Sequence, residues 1–313
     1  MFGSTAGRLT DDQVGQIRAA APDEVEHLET SDEIDDRIED AVVLAVPPGQ
    51  LTGARLRRAP RLRWVHLWAA GVDGAMVPEL AGRDIVVTSS KGNGAAPLAE
   101  HAMMLMLMLN RGAVRWVDAQ RRRRWDQFMH SELTGLTCGV VGLGYSGREV
   151  ARRAAAFDMR VIGLRRSYRP TPEVEELYPR DRLREFLGFC DVVVVTVPRT
   201  PETIGMFGEA EFRAMKKTAL YICFSRGGIA DDTALLRALR EGWIAGAGLD
   251  VHSQEPLPAD SPFWDLPNAI VTPHNGASTP QTRQRAVDIF LDNLQRFSRG
   301  QGMRNVVDLT TGY

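Results

Sequence analysis

The chain has 313 residues, of which 44% are hydrophobic and 25% charged, and its formal net charge is -2. This length allows two domains of ordinary size with separate cores. The near-neutral charge predicts no general electrostatic attraction to nucleic acid or to a membrane surface. The one basic run, the arginines at 121–124, is more typical of a solvated helix face or a subunit-contact arm than of a nucleic-acid site.

The three cysteines, Cys138, Cys190 and Cys223, are widely spaced and lie in apolar, strand-like stretches. No CxxC pair or Cys/His cluster is present, so we expect neither a metal site nor a disulfide framework. The first residues lack the basic and apolar regions of a signal peptide. The longest apolar run, residues 102–109, is too short to span a bilayer. We therefore expect a cytoplasmic protein without a membrane partner.

In chain order, the first predicted element is a helix over residues 10–20 with Thr10 as its N-cap. Short apolar, β-branched runs at 41–46, 62–67 and 84–88 predict three buried parallel strands. No apolar strand is visible before the first helix, where a domain of this kind usually begins with one. We therefore expect a small doubly wound domain with a short beginning.

A long helix is predicted to begin near Pro97, because proline suits the first helical turn. Its methionines cover more than one face, as expected of a helix buried between domains or subunits. Six further strands, separated by helical patterns, are predicted at 138–142, 161–164, 191–198, 219–224, 245–251 and 269–274. Such a succession is typical of a nucleotide-binding sheet.

Together these elements predict an α/β fold with two doubly wound parallel sheets. We expect a Rossmann dinucleotide-binding domain at residues 98–284, inserted into a flavodoxin-like substrate domain formed by residues 1–97 and 285–313. The C-terminal tail carries an amphipathic helical pattern, AVDIFLDNLQRF, and is expected to return to the first domain.

A glycine-rich turn, Gly142-Leu143-Gly144-Tyr145-Ser146-Gly147, joins the strand CGVVG to the helical stretch REVARRAAAF. Gly142 would permit a tight turn, Gly144 would let the backbone approach a pyrophosphate, and Gly147 would let the helix pack on the strand. The amides of Tyr145 and Ser146 would face the phosphates. An ordinary glycine-rich turn is the alternative, but the strand–turn–helix context favours a dinucleotide site.

The residues that follow the next predicted strand bear on the choice of cofactor. An NAD site would place an acidic residue there, whereas this chain has Arg165, Arg166 and Ser167. Two guanidinium groups and a hydroxyl could bind a 2′-phosphate through charge-assisted hydrogen bonds. The turn therefore predicts NADP(H) as the preferred cofactor, with NAD(H) possible. A solvated basic turn without a role in cofactor choice is the alternative.

Ionisable residues follow three successive strands in the second half of the chain. Arg226 comes after the first, Asp250 and Glu255 after the second, and His274 after the third. Because ligands bind at the carboxyl ends of the strands in open α/β sheets, we expect these side chains to lie at one site. Taken singly, each could be an ordinary capping, surface or buried residue.

These stretches resemble the signatures of the D-isomer-specific 2-hydroxyacid dehydrogenases, in particular glyoxylate/hydroxypyruvate reductase-like members. The signatures are an Arg-Gly after a strand, an Asp-Val followed by a Glu-Pro, and a Thr-Pro-His. The likeness spans about residues 60–280 in the right order and includes RWVHLWAAGVD, PLAEHAMMLMLMLNR, GLGYSG, VPRTPET and LPNAIVTPH. It implies hydride transfer between a nicotinamide cofactor and a small-molecule 2-keto or 2-hydroxy acid.

The chemistry of the three catalytic candidates agrees with this implication. The guanidinium of Arg226 can bind the substrate carboxylate and polarise the carbonyl. Histidine is the side chain most often used as a general acid or base near neutral pH, so His274 is the candidate acid in reduction and base in oxidation. The carboxylate of Glu255 would favour the imidazolium form of His274 and orient its ring.

The resemblance implies further roles that the residues alone do not show. Backbone amides of Ala70, Gly71 and Val72 would bind the substrate carboxylate, and Asp250 would hold the nicotinamide carboxamide. Pro198, Thr203 and Gly276 would also contact the cofactor. A homodimer built around residues 98–135 is expected, whereas His66 and His101 are interpreted mainly as packing histidines.

Three positions depart from the family pattern: Gly94 and Cys223 stand where asparagine is common, and Asn275 stands where an aliphatic residue is common. These differences leave the identity of the acid open. Two other functions are compatible with the sequence: a dinucleotide-sensing binding protein on the same fold, and oxidation of a non-carboxylate such as a phosphonate. A pure sensor would have no need of the arginine, glutamate and histidine together.

Overall fold

The computed structural model describes residues 2–3, 9–21, 27–28 and 31–309. The chain divides into two compact units, residues 1–94 with 279–313 and residues 95–278. The second unit is thus inserted into the sequence of the first. Both divisions fall slightly before the boundaries expected from the sequence.

The first unit contains a five-stranded parallel sheet in the order β2-β1-β3-β4-β5. Its strands are β1 (Phe2–Gly3), β2 (His27–Leu28), β3 (Val43–Val46), β4 (Trp64–Leu67) and β5 (Val86–Ser89). This is the flavodoxin-like order. The expectation that no strand precedes the first helix is wrong, since β1 pairs with both β2 and β3. A strand of two residues is too short to show an apolar pattern in the sequence. It is identified by its pairing with the neighbouring strands.

The helices of the first unit are α1 (Asp11–Ala20), α2 (Ser31–Arg37), α3 (Gly53–Arg58) and α10 (Pro280–Ser298). The Thr10 side chain accepts from the Gln13 N–H and caps α1, as the sequence predicts. The last helix, α10, packs on the sheet through Phe290, whose ring stacks on Trp64 with centroids 5.3 Å apart.

The second unit contains seven parallel strands in the order β12-β11-β10-β9-β6-β7-β8. They are β6 (Thr137–Val141), β7 (Arg160–Leu164), β8 (Glu176–Tyr178), β9 (Val192–Val195), β10 (Leu220–Cys223), β11 (Gly246–Leu249) and β12 (Ala269–Val271). When β6 to β11 are counted from 1 to 6 along the chain, they lie side by side in the Rossmann order 3-2-1-4-5-6. Strand β8 was not predicted, because it is a short edge strand without β-branched residues.

The helices of the second unit are α4 (Ala95–Asn110), α5 (Ala113–Arg121), α6 (Tyr145–Ala156), α7 (Leu183–Phe189), α8 (Glu209–Ala214) and α9 (Asp232–Arg240). Helix α4 packs against α6 and against strands β10 to β12. Its residues Ala102, Met103, Leu105 and Met106 are buried. Across the described part of the chain, no helix combines the length and apolar character needed to cross a membrane.

Candidate active site

The glycine-rich turn after β6 has the geometry that a dinucleotide site requires. Gly142 has φ +95°, a conformation that favours glycine. A Cβ on Gly147 would lie 2.0 Å from the Gly142 carbonyl oxygen, so only glycine allows the helix to approach the strand here. A Cβ on Gly144 would meet nothing within 4 Å. The backbone before α6 is therefore open on the side where a pyrophosphate would bind.

The basic turn after β7 lies at the same edge of the sheet and is largely exposed. The Arg165 guanidinium donates to the Arg169 carbonyl oxygen at 3.0 Å. Arg166 pairs with Glu202 at 3.7 Å, and Arg180 pairs with the same carboxylate at 3.3 Å. The positive charges expected from the sequence are thus present, but Glu202 partly neutralises them.

The loop after β9 carries Pro198 and Thr203. The Thr203 hydroxyl donates to the Pro198 carbonyl oxygen at 2.6 Å and accepts from the Thr200 N–H at 2.8 Å. Within the described structure, the threonine side chain therefore holds its own turn together. Any contact of Pro198 or Thr203 with a cofactor stays a prediction.

Arg226 follows β10 and is half-buried. Its Nη1 donates to the Ser225 carbonyl oxygen at 2.7 Å. The next residue explains how this loop lies so close to the loop after β11: a Cβ on Gly227 would stand 1.9 Å from the His252 carbonyl oxygen. Cys223, also at this strand end, has a thiol whose pKa is raised by burial, so the thiol is neutral at physiological pH.

Glu255 and His274 form a direct pair. The His274 Nδ1 lies 2.7 Å from the Glu255 Oε2, and both side chains are partly exposed. The other carboxylate oxygen of Glu255 accepts from the His252 N–H at 2.9 Å. Burial raises the pKa of the Glu255 carboxyl, but hydrogen bonds from His274 and His252 outweigh it and hold the pKa below its ordinary value. The carboxylate is therefore charged at neutral pH beside the imidazole.

Asp250 is completely buried at the end of β11. Its Oδ1 accepts from the Thr272 hydroxyl at 2.6 Å and from the Asn275 N–H at 3.1 Å. Its Oδ2 accepts from the Gly276 N–H at 2.9 Å. Asp250 and Gly276 therefore lie next to each other and are joined by a hydrogen bond. Their expected contacts with a cofactor stay predictions.

In the first unit, the loop carrying Ala70, Gly71 and Val72 follows β4. Among the described residues, none of these three N–H groups donates a hydrogen bond, whereas the carbonyl oxygens of Ala69 and Val72 accept from Ser90 and Ala75. Ala70 is exposed, Gly71 is half-buried and Val72 is buried. Neighbouring N–H groups that donate no hydrogen bond within the described residues could bind a carboxylate. That this loop and Arg226 bind the same substrate stays a prediction.

His66 lies in β4 and is fully buried, and burial lowers its pKa to about 3. Its two ring nitrogens lie 2.9 Å from the Thr88 hydroxyl and 3.1 Å from the Ser90 hydroxyl. It is therefore a neutral, hydrogen-bonded core histidine, in agreement with the packing role expected from the sequence. No group of three or more histidine, cysteine or acidic side chains in the described residues is placed to hold a metal ion.

Three residues near the site were not recognised from the sequence as part of it. His252 supplies the second hydrogen bond to Glu255, Thr272 binds Asp250, and His101 lies 2.9 Å from the Thr272 hydroxyl. The resemblance covers the stretches containing Thr272 and His101, but sequence order does not reveal which side chains meet across a sheet.

A glycine-rich turn before a helix in a Rossmann sheet, with a glutamate–histidine pair beyond the strand ends, is typical of a dinucleotide-dependent oxidoreductase. A family model described as the D-isomer specific 2-hydroxyacid dehydrogenase NAD binding domain matches residues 103–276. The glyoxylate reductase of Korarchaeum cryptofilum is 38% identical over 256 residues, which are 80% of this chain and 77% of that protein.

Solved structures agree over nearly the whole chain. An NADPH-dependent glyoxylate/hydroxypyruvate reductase from Sinorhizobium meliloti, in complex with NADP and sulfate, is 30% identical with a TM-score of 0.86 and covers 100% of this chain and 99% of its own. A D-isomer specific 2-hydroxyacid dehydrogenase from Xanthobacter autotrophicus, in complex with NADPH and MES, is 29% identical with a TM-score of 0.88. It covers 100% of this chain and 98% of its own.

The chain belongs to the D-isomer-specific 2-hydroxyacid dehydrogenases. It is an NAD(P)-dependent oxidoreductase that transfers a hydride between a pyridine nucleotide and a 2-keto or 2-hydroxy acid. The fold and reaction class expected from the sequence are confirmed, and catalysis is favoured over a purely sensing role.

Proposed function

We propose that His274 is the general acid in reduction of a 2-keto acid and the general base in the reverse reaction, with Glu255 as its partner. The contact of 2.7 Å between His274 Nδ1 and Glu255 Oε2 carries this proposal. An ionised carboxylate can only accept, so Nδ1 bears a proton in both forms of the ring. Nε2 is then the nitrogen that exchanges a proton with the substrate oxygen, and Glu255 stabilises the imidazolium before transfer.

Arg226 is proposed to bind the carboxylate and the carbonyl oxygen of the substrate. Its guanidinium offers several donors in one plane, which suits a planar 2-keto acid. The N–H groups of Ala70, Gly71 and Val72 are proposed to bind the same carboxylate. None of these groups donates a hydrogen bond within the described part of the chain, which supports that role.

The residues of the second unit fit a pyridine dinucleotide. The left-handed Gly142, the open backbone at Gly144 and the close packing at Gly147 leave room for a pyrophosphate beside Tyr145 and Ser146. When bound, the cofactor supplies or accepts the hydride. Asp250 and Gly276 are proposed to lie at its nicotinamide end, and Pro198 and Thr203 beside it.

NADP(H) is proposed as the preferred cofactor, with NAD(H) as a weaker one. Arg165, Arg166 and Ser167 place two positive charges and a hydroxyl after β7, where a 2′-phosphate would lie. The proteins from Sinorhizobium meliloti and Xanthobacter autotrophicus were solved with NADP and NADPH. For the substrate, the names of the relatives support glyoxylate or hydroxypyruvate.

A homodimer formed through residues 98–135 is proposed as the assembly. Exposed apolar side chains concentrate in that segment, among them Trp125 and Met129, which are 91% and 96% exposed. Large exposed apolar groups close together favour association, and sedimentation analysis would measure it. The cytoplasmic location remains a prediction from the sequence.

The experiment that tests this function follows NADPH and NADH absorbance separately against glyoxylate, hydroxypyruvate and larger 2-keto acids. We expect turnover with at least one acid and a higher kcat/KM with NADPH. His274→Ala should lose about 10²-fold or more in kcat and still bind cofactor. Absence of turnover, or an unchanged kcat in His274→Ala, would contradict the proposal, and faster turnover with NADH would contradict the cofactor assignment.

A further inference from the structure

A compact group of residues lies beside the loop that carries His274. This group, the Asp250 cluster, consists of His101, Asp250, Thr272 and Gly276. Asp250 is fully buried, and the His101 and Asp250 side chains are 12% and 1% exposed. The cluster joins helix α4, the end of β11 and the loop after β12 within one unit.

The hydrogen bonds of the cluster form a directed chain. The Thr272 hydroxyl has one proton, and its short contact of 2.6 Å shows that this proton goes to Asp250 Oδ1. The Thr272 oxygen must then accept from His101 Nε2, which lies 2.9 Å away. The same Nε2 is 3.5 Å from Asp250 Oδ1. His101 is therefore a donor at Nε2, to a hydroxyl that is itself a donor to a buried carboxylate.

The backbone around His274 depends on this chain. His274 has φ +51°, in the left-handed region that non-glycine residues seldom adopt. Such a conformation persists only where its surroundings determine it. Thr272, two residues before His274, and the N–H groups of Asn275 and Gly276, directly after it, all bind the Asp250 carboxylate. One carboxylate thus anchors the backbone on both sides of the histidine.

The His101 ring also limits the position of the loop by contact. A Cβ on Gly276 would lie 2.8 Å from Asp250 Oδ2 and 3.1 Å from His101 Cγ. The glycine backbone therefore lies directly on the imidazole and the carboxylate. Since α4 is a long helix packed against three strands of the same unit, His101 gives the loop a rigid point of reference.

We propose that His101 is a positioning residue for His274, acting through Thr272 and Asp250 to hold the 272–276 loop in the conformation that pairs His274 with Glu255. This inference rests on the proposed role of His274. It assigns to His101 a function beyond packing. The hydrogen bond donated by Nε2, and not the volume of the ring, is what holds the loop in place.

The test compares His101→Leu with His101→Gln, since a glutamine amide can place a donor near the position of the histidine Nε2. Thr272→Val removes the hydroxyl at nearly constant volume, and Thr171→Val makes the same change at a buried threonine elsewhere in the unit. We expect His101→Leu and Thr272→Val each to lower kcat about 10- to 100-fold with little change in cofactor Kd. His101→Gln should retain most of the wild-type kcat. The double variant His101→Leu/Thr272→Val should be no slower than the slower of its two single variants, because both changes break the same chain of hydrogen bonds.

Amide hydrogen exchange at Asn275 and Gly276 provides a second measurement that needs no turnover. Exchange should accelerate in His101→Leu and Thr272→Val, and stay slow in His101→Gln and Thr171→Val. Unchanged exchange and kcat in His101→Leu, or equal losses in the Leu and Gln variants, would overturn the inference. If the wild-type chain reduced no 2-keto acid, the proposed function would fail, whereas the exchange data would still decide whether His101 holds the loop. Should His101→Leu not fold, Thr272→Val tests the same chain of hydrogen bonds.

Discussion

Two stretches at the same edge of the second sheet are held in opposite ways. The loop after β12 is anchored on a buried carboxylate that accepts three hydrogen bonds, from Thr272, Asn275 and Gly276. The turn after β7 carries Arg166, which pairs at 3.7 Å with Glu202 where both side chains are more than half exposed. The first stretch is held by hydrogen bonds to a buried carboxylate, whereas the second carries charges that are exposed to solvent.

The difference follows from what each stretch is proposed to do. A proton donor must be held at hydrogen-bond distance from its acceptor with a tolerance of about 0.5 Å, which requires a preorganised backbone. A binding site for a phosphate tolerates movement, because charge attraction falls off slowly with distance and is screened by salt. Substitutions in the loop after β12 should therefore change rates strongly, whereas those in the turn after β7 should change cofactor affinity modestly.

The largest expected effect comes from Glu255→Gln. The amide keeps the shape of the side chain but removes the charge that favours the imidazolium, so we expect kcat to fall about 100-fold. Cofactor affinity should stay unchanged in a fluorescence titration. Glu185→Gln, at a surface glutamate paired with Arg182, is the matched control. A Glu255→Gln enzyme with wild-type kcat would show that the pair with His274 has no part in proton transfer.

The same variant has a predicted pH dependence of stability. The folded pKa of Glu255 is lowered, so its contribution to stability is present above the ordinary glutamate pKa, about 4.3, and is lost as pH falls through the lower folded value. Wild type and Glu255→Gln should therefore differ more in urea-unfolding free energy at about pH 5 than at about pH 3. A difference that grows toward acid pH would contradict the assigned sign.

A smaller effect is expected where two strand-end loops touch. In Gly227→Ala, the new Cβ would lie 1.9 Å from the His252 carbonyl oxygen, and because this neighbour is backbone it cannot rotate away. We expect a loss of about 1–3 kcal/mol in unfolding free energy. A lower kcat/KM should accompany it, since Arg226 and the His252 N–H move with the loops.

Gly188→Ala, in helix α7, is the control for that change. Its Cβ would meet only the Ala214 carbonyl oxygen at 3.7 Å, so stability should stay the same or rise by up to about 1 kcal/mol. Equal stability changes in the two alanine variants, measured by urea unfolding, would show that the close approach at Gly227 is relaxed in solution.

The sequence predicts the sheets better than the contacts within the loops. The valine run of β9, Val192–Val195, is fully buried as its apolar character indicates, whereas β1 and β8 are too short to show a pattern. The strand-end positions of Arg226, Glu255 and His274 follow from parallel topology alone. In contrast, whether the Gly276 N–H donates to Asp250, or the His101 ring meets the Thr272 hydroxyl, depends on the distance between segments far apart in sequence.

The smallest effect is expected in the turn after β7, where Arg166→Gln removes one exposed positive charge. The pair with Glu202 contributes little to stability because both side chains are largely solvated. A bound 2′-phosphate would lose one charge-assisted contact, so we expect KM for NADPH to rise by about 3- to 10-fold and KM for NADH to stay the same. The rise should shrink in high salt, since the attraction is screened. Steady-state assays with both cofactors at two salt concentrations measure this, and an equal rise for NADH would show that Arg166 acts on the fold of the turn and not on the phosphate.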